Sequence, residues 1–309
     1  MTKYYVITMD IPESLGFKYG IPEALSNPQL NEALDDLQQR FVCAFQMRVL
    51  DGSPMIVLPA EKITAQISTT VQAIRGRGSP LVIGLDRVYD QTADFYLEIT
   101  RETDPLDPDR EPKITNRFGT PPIHEQLREL QRMVALKREQ SGDNGAHDEG
   151  VIITDVGSFG GGTLTTLSAM LGDYDVPICG VVLGLMPEQN VHKVRAIFGD
   201  RIQVINQIPI FEWLELRDLF LIDGRKPPES YTSDGVRRYI PYTDNLEKWA
   251  SISDPEKRSI CAELCKGNYE QTTGLLRGIR VDVTARIGEF VHTGQAPLRT
   301  APEKMRSFA

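Results

Sequence analysis

Residues 151–164 read VIITDVGSFGGGTL, and this stretch decides the fold. The apolar and β-branched run that opens it is typical of a strand buried in a sheet. Asp155 ends this strand, a glycine-rich turn follows, and an apolar helical pattern runs from Thr163 to about Leu171. Strands and helices continue to alternate through Val176–Leu185 and beyond, so the sequence predicts an α/β protein with a parallel sheet.

The glycine-rich turn is suited to bind a phosphate. The three consecutive glycines Gly160, Gly161 and Gly162 let the backbone approach an anion closely and turn its N–H groups toward it. The N-terminus of the following helix adds partial positive charge. Thr163 either caps this helix or donates its hydroxyl to a phosphate oxygen. The alternative is a tight strand-to-helix turn that binds nothing.

Two common phosphate motifs do not fit this turn. A P-loop needs a lysine and then a serine or threonine after its last glycine, whereas Thr163 follows Gly162 directly. The dinucleotide fingerprint needs Gly-x-Gly-x-x-Gly, and the glycines at 157, 160 and 162 occur in the reverse order. The sequence therefore predicts neither of these sites.

The same segment resembles the phosphoribosyl-pyrophosphate-binding signature of type I phosphoribosyltransferases. In that signature an apolar strand and two acids precede a loop that ends in Thr-Gly-Gly-Thr or a near relative. Asp155 matches the first acid, and residues 161–164 match the end of the loop in register. Two positions depart from the signature, because Val156 replaces the second acid and Gly160 replaces a threonine.

The resemblance implies a fold, a reaction and a set of roles. It implies a three-layer core with a parallel sheet, and Mg²⁺-dependent transfer of phosphoribose to a nitrogenous base with release of pyrophosphate. Phe159 and the residues through Thr163 would hold the ribose 5-phosphate. Asp155 would be the catalytic carboxylate, and it would bind a ribose hydroxyl or the Mg²⁺ ion.

The resemblance also implies a pyrophosphate-binding loop at the end of an upstream strand. We prefer Arg117 and Gly119 for this loop, since they lie just before the helix that begins near Pro121, in the slot that precedes the glycine-loop strand. The segment Gly84–Arg87 is the alternative.

The order of elements predicts three parts of the chain. Residues 1–112 are expected to form an α+β segment, and residues 113–225 the phosphoribosyltransferase-like core. Residues 226–309 are expected to be mainly helical, with a loose tail. The first boundary is a stretch rich in proline and aspartate at 104–112, and the second is Pro227-Pro228.

Composition narrows the class of protein. The chain has 309 residues, a formal net charge of -9 and a pI near 5.1, which argues against a broad nucleic-acid surface. No apolar run approaches the ~18 residues of a membrane helix. The four cysteines form no CxxC pair, a usage that suits a reducing compartment. We therefore expect a cytoplasmic protein without a membrane segment.

Two functions remain open at this point. The first is a phosphoribosyltransferase, and the second is a catalytically weakened module that senses a phosphorylated ribose or nucleotide and acts through a protein partner or a homo-oligomer. Val156 in place of the second acid favours the sensing module. A more distant alternative is an unrelated α/β enzyme that acts on a sugar phosphate.

Overall fold

The computed structural model describes residues 4–75, 80–102, 113–117, 120–141, 150–209, 211–220, 229–231, 237–239 and 246–281. Its strands, in chain order, are β1 (Tyr4–Met9), β2 (Met55–Pro59), β3 (Leu81–Gly84), β4 (Phe95–Tyr96), β5 (Ile99–Glu102), β6 (Lys113–Asn116), β7 (Val151–Gly157), β8 (Ile178–Pro187), β9 (Ile202–Ile208), β10 (Phe211–Glu215), β11 (Glu229–Tyr231) and β12 (Arg237–Tyr239). Its α-helices are α1 (Ile11–Glu13), α2 (Glu23–Ser26), α3 (Pro28–Arg48), α4 (Ala60–Arg75), α5 (Ile123–Ser141), α6 (Gly162–Asp173), α7 (Val191–Phe198), α8 (Leu216–Phe220), α9 (Leu246–Ala250) and α10 (Pro255–Gly278).

A five-stranded sheet carries the glycine loop. Its strand order is β4-β3-β7-β8-β9, and each neighbouring pair is parallel. The central strands β7 and β8 are buried along nearly their whole length, which explains their continuous apolar sequences. The α/β class and the parallel sheet expected from the sequence are confirmed.

Helices cover both faces of this sheet. Ile153 packs in one apolar cluster with residues of α5, α6 and α7, including Leu130 and Leu167. Its neighbour Ile152 points to the opposite face, since successive strand residues alternate. On that face α4 contacts β7, β8 and β9. The sheet therefore has a helical layer on each side.

The strand order creates a switch point in the sheet. In chain order the five strands take the spatial order 2-1-3-4-5, so the connections lead in opposite directions from the strands β3 and β7, which lie side by side. Open α/β sheets bind ligands in the crevice outside the carboxyl ends of the strands at such a point. The glycine loop follows the carboxyl end of β7 and lies at this position.

The chain divides into two compact units that differ from the expected parts. The first contains Leu58–Thr100 and Ile114–Phe211, and the second contains Lys3–Val57 and Glu212–Ala309, with shorter stretches added to each. The first unit combines segments from both sides of residue 112, because β3 and α4, from the expected N-terminal part, belong to the five-stranded sheet and its helical layer.

The second unit has its own core. A three-stranded sheet of order β10-β1-β2 and the helices α3 and α10 contribute to one apolar cluster. Both long helices begin with a capping side chain followed by proline: Asn27 accepts two backbone N–H bonds at the start of α3, and Asp254 does the same at α10. The described part of the C-terminal region is helical in α9 and α10, but it also contains the antiparallel pair β11-β12, which the sequence did not predict.

Within the described ranges, no helix is long and apolar enough to cross a membrane.

A buried ion pair joins the N-terminal and C-terminal segments of the second unit. Arg217 Nε lies 3.1 Å from Asp10 Oδ2, and these side chains are only 2% and 0% exposed. The Arg217 backbone N–H donates to Asp10 Oδ1 at 3.1 Å, and its guanidinium also pairs with Glu215. The Ser14 hydroxyl donates to Asp10 as well, at 3.3 Å. The end of β1 is thereby fixed to the start of α8.

We expect Arg217→Met to lower the free energy of unfolding by about 3–5 kcal/mol, because it removes the guanidinium that is paired with the buried Asp10 carboxylate. The matched control is Arg40→Met, which removes an exposed pair with Asp36 whose side chains are 61% and 64% exposed. That variant should lose less than about 1 kcal/mol. Urea titration of both variants measures the difference, and equal losses would contradict a structural role for the buried pair.

Candidate functional site

The loop that follows β3 is bonded to the strand β7 at the switch point. The Leu85 N–H donates to the Thr154 carbonyl at 3.0 Å, which extends the β3–β7 pairing by one residue. The buried Thr154 hydroxyl donates to Asp90 Oδ2 at 2.6 Å and is also within 3.2 Å of the Ile83 carbonyl. The loop after β3 is therefore fixed beside the strand that leads into the glycine loop.

The loop after β3 is also held by its own aspartates. Asp86 Oδ1 accepts the Val88 N–H at 2.9 Å, and Asp90 Oδ1 accepts the Thr92 N–H at 2.9 Å, two local turns of the type that aspartate favours. Burial raises the pKa of the Tyr96 hydroxyl, which therefore stays protonated and donates to the Asp90 carbonyl at 2.8 Å. Asp86 and Asp90 are 6% and 4% exposed, and both of their carboxylates accept hydrogen bonds within the protein.

The glycine loop is fixed by bonds to β8 and to the start of α7. The Ser158 N–H donates to the Leu185 carbonyl at 3.1 Å, and the Ser158 hydroxyl accepts the Gly161 N–H at 3.1 Å. The Asn190 amide donates to the Phe159 carbonyl at 2.7 Å. These bonds hold the turn in place without covering Gly160, which is exposed.

The N-terminus of α6 lacks a capping side chain. Its N-cap residue is Gly161, in the left-handed conformation with φ +81°, so Thr163 lies inside the helix and does not cap it. The hydroxyls of Thr165 and Thr166 donate to carbonyls one turn earlier, whereas that of Thr163 has no hydrogen-bond partner among the described residues. The amides of the first helical turn, which have no partners within a helix, thus carry no competing side-chain oxygen from the cap.

The three consecutive glycines differ in backbone conformation and in the space around them. Gly161 needs its positive φ, and an added Cβ would lie 2.5 Å from a methyl carbon of Val194. A Cβ added at Gly160 or Gly162 would meet no described atom within 4 Å, and neither residue has a positive φ. Local packing therefore explains the middle glycine, while the outer two keep open space in front of the backbone.

Asp155 and Val156 point to opposite faces of the sheet. Asp155 is half-buried and lies on the same face as Ile153, and its Oδ1 accepts the Val156 N–H at 2.8 Å. Val156 is 4% exposed on the α4 face, where Gly184 leaves room between the Val156 backbone and Ile63. An acid at position 156 would be buried in this packing, so the strand offers the loop one carboxylate.

The residues at this edge fit a Mg²⁺ ion only if the bound ligand supplies most of its oxygen ligands. No group of three histidine, cysteine, aspartate or glutamate side chains that could hold a metal ion occurs in the part of the chain that the structure describes. Mg²⁺ is often held by one or two carboxylates together with substrate phosphates and water. Asp155 could serve as such a single protein ligand, with a phosphorylated substrate supplying the remaining oxygens.

Arg117 lies near this edge but its guanidinium binds the protein itself. Its Nε donates to the Ile99 carbonyl at 3.0 Å, and its NH2 group donates to the Leu85 carbonyl at 3.3 Å. The carboxylate of Glu98 is 3.7 Å away, and the Arg117 side chain is 16% exposed. These contacts give Arg117 a structural role in shaping the edge. Gly119 lies outside the described residues.

The segment expected to fill the slot before β7 lies elsewhere. β6, which leads into Arg117, pairs with β5 in a separate two-stranded sheet. The sheet neighbour of β7 is β3, so the loop beside the glycine loop begins in the alternative segment Gly84–Arg87. The sequence placed Asp86 only in this alternative segment and did not indicate Asp90, although both follow the apolar strand β3.

Comparisons with protein-family models, with curated proteins and with solved structures give no match for this chain.

We expect Gly161→Ala to lower the free energy of unfolding by about 1–3 kcal/mol, because alanine is strained at a left-handed φ and its Cβ would clash with Val194. Gly162→Ala is the matched control, since the new Cβ enters open space in a helical residue. It should leave stability unchanged or raise it by up to about 1 kcal/mol. Thermal and urea unfolding of the two variants provide the comparison, and a large loss in Gly162→Ala would contradict the geometry.

Proposed function

We propose that this protein binds a 5-phosphorylated ribose at the glycine loop, either phosphoribosyl pyrophosphate or a nucleotide that contains ribose 5-phosphate. The observation that carries the proposal is the open space in front of Gly160 and Gly162 beside an uncapped helix N-terminus. Glycine loses more conformational entropy on folding than any other residue, so its presence in a fixed turn needs a reason. At these two positions neither packing nor a positive φ gives that reason. Close approach of a ligand to the backbone does.

The phosphate would lie against the first turn of α6. The amides of Gly162, Thr163 and Leu164 are first-turn donors, and the helix adds partial positive charge at this end. The Thr163 hydroxyl is a further donor. Neutral donors of this kind suit a phosphate on an acidic protein, since they need no cationic side chain.

The ribose would extend from the phosphate toward the end of β7. Asp155 precedes the loop on this strand, and a carboxylate there can accept a hydroxyl hydrogen of the ribose or share a Mg²⁺ ion with the ligand's phosphates.

Two functions use this arrangement. In a transferase, a base nitrogen forms a bond to ribose C1, pyrophosphate leaves with the electron pair of the C1–O bond, and the proton of that nitrogen is released to water. A carboxylate near C1 would stabilise the positive charge that develops there. The second candidate is a sensor that binds the same ligand without turnover. The burial of Val156 on the α4 face favours the sensor, because the strand offers only Asp155 to that charge.

Calorimetric titration with phosphoribosyl pyrophosphate, with and without Mg²⁺, tests the proposal. We expect saturable binding that Mg²⁺ strengthens, and a loss of at least about tenfold in affinity in Gly162→Ala, whose Cβ would occupy the space required by the phosphate. Asp155→Asn should weaken the effect of Mg²⁺ while leaving phosphate binding in place.

The control is Gly172→Ala, at a glycine near the C-terminal end of α6 where an added Cβ also meets no described atom within 4 Å. It should bind like the unaltered protein. Failure of the unaltered protein to bind at millimolar ligand would overturn the proposal. Where binding is present, release of pyrophosphate in the presence of nitrogenous bases identifies the transferase, and its absence identifies the sensor.

A further inference from the structure

The glycine loop carries an exposed aromatic ring. Phe159 is 40% exposed, although it lies between buried β7 and the first turn of α6. The other large apolar side chains with comparable exposure among the described residues, Met47, Leu136 and Ile197, lie along helices. Single exposed apolar residues on helices are ordinary. A phenylalanine beside a phosphate-binding backbone has a more specific use.

The position of this ring is fixed from two sides. Its centroid lies 5.4 Å from that of Phe211, with the ring planes tilted by 35°, and Phe211 is itself 5% exposed. The Phe159 carbonyl accepts the Asn190 amide at 2.7 Å. Both partners belong to the same compact unit as the loop. The ring is therefore supported by the protein and still offers part of its surface to solvent.

We infer that the Phe159 ring is a stacking surface for a planar base, so that the ligand of this site is a nucleoside 5′-monophosphate. This inference rests on the proposed function, because the phosphate must lie at the α6 N-terminus. A base joined to that phosphate through a single ribose falls within reach of a ring on the same short loop. A sugar phosphate without a base would leave the ring exposed.

The ring adds selectivity that the backbone amides lack. Amides at a helix N-terminus bind any phosphate and cannot tell a nucleotide from a bare sugar phosphate. Stacking on an aromatic side chain requires a planar partner and tolerates different bases, because every base has a π-face. The structure thus separates the two tasks: the first turn of α6 would bind the phosphate, and Phe159 would select for the base.

The test compares adenosine 5′-monophosphate with ribose 5-phosphate by calorimetric titration of the full chain. Stacking on an aromatic residue contributes about 1–3 kcal/mol per base, which corresponds to about 5- to 150-fold in affinity. We expect the nucleotide to bind more tightly than the sugar phosphate by a factor in this range. Phe159→Ala should remove this advantage and leave the affinity for ribose 5-phosphate within about twofold.

Two further variants serve as controls for this comparison. Phe159→Tyr keeps an aromatic ring and should retain the preference for the nucleotide. Leu136→Ala removes a 56% exposed side chain from α5 and should change neither affinity. Equal affinity for the two ligands, or an equal loss of both in Phe159→Ala, would overturn the inference and leave the proposed function standing. No binding of ribose 5-phosphate or of the nucleotide by the unaltered protein would overturn both.

Discussion

The parallel pairing of β3 with β7 is the constraint on which the site depends. Four residue pairs, from Leu81–Val151 to Gly84–Thr154, align the two strands, and the bond from Leu85 to Thr154 continues the alignment past the end of β3. This register brings the ends of both strands to one edge of the sheet. It sets the aspartate-rich loop after β3 beside the glycine loop after β7, where the connections of the sheet diverge.

The local parts of this arrangement could be predicted from the sequence. The fourteen consecutive residues 151–164 predict a buried strand, an acid, a glycine turn and the start of a helix. The structure contains these features in that order. The parallel sheet and its α/β class followed from the alternation of apolar strands with helical patterns. The specific phosphoribosyltransferase fold remains a prediction that no comparison tests.

The distant parts could not be predicted, because they depend on pairing between segments far apart in the chain. The Thr154 hydroxyl and the Ile83 carbonyl are 71 residues apart, and nothing local to β7 indicates that β3 is its neighbour. The nearer strand β6 was the natural candidate, yet it pairs with β5. For the same reason the sequence did not indicate that the Arg117 guanidinium donates to the Ile99 carbonyl, or that Asp10 forms an ion pair with Arg217, more than 200 residues away.

The most direct measurement of the central claim is a backbone amide spectrum of isotope-labelled protein during titration with ribose 5-phosphate. Binding at the glycine loop requires that the amide signals of residues 160–164 shift together and follow one binding curve with a single dissociation constant. Smaller changes are expected at Asp155 and in the loop after β3. Shifts confined to another region of the chain, or unchanged signals for residues 160–164 at saturating ligand, would contradict the account.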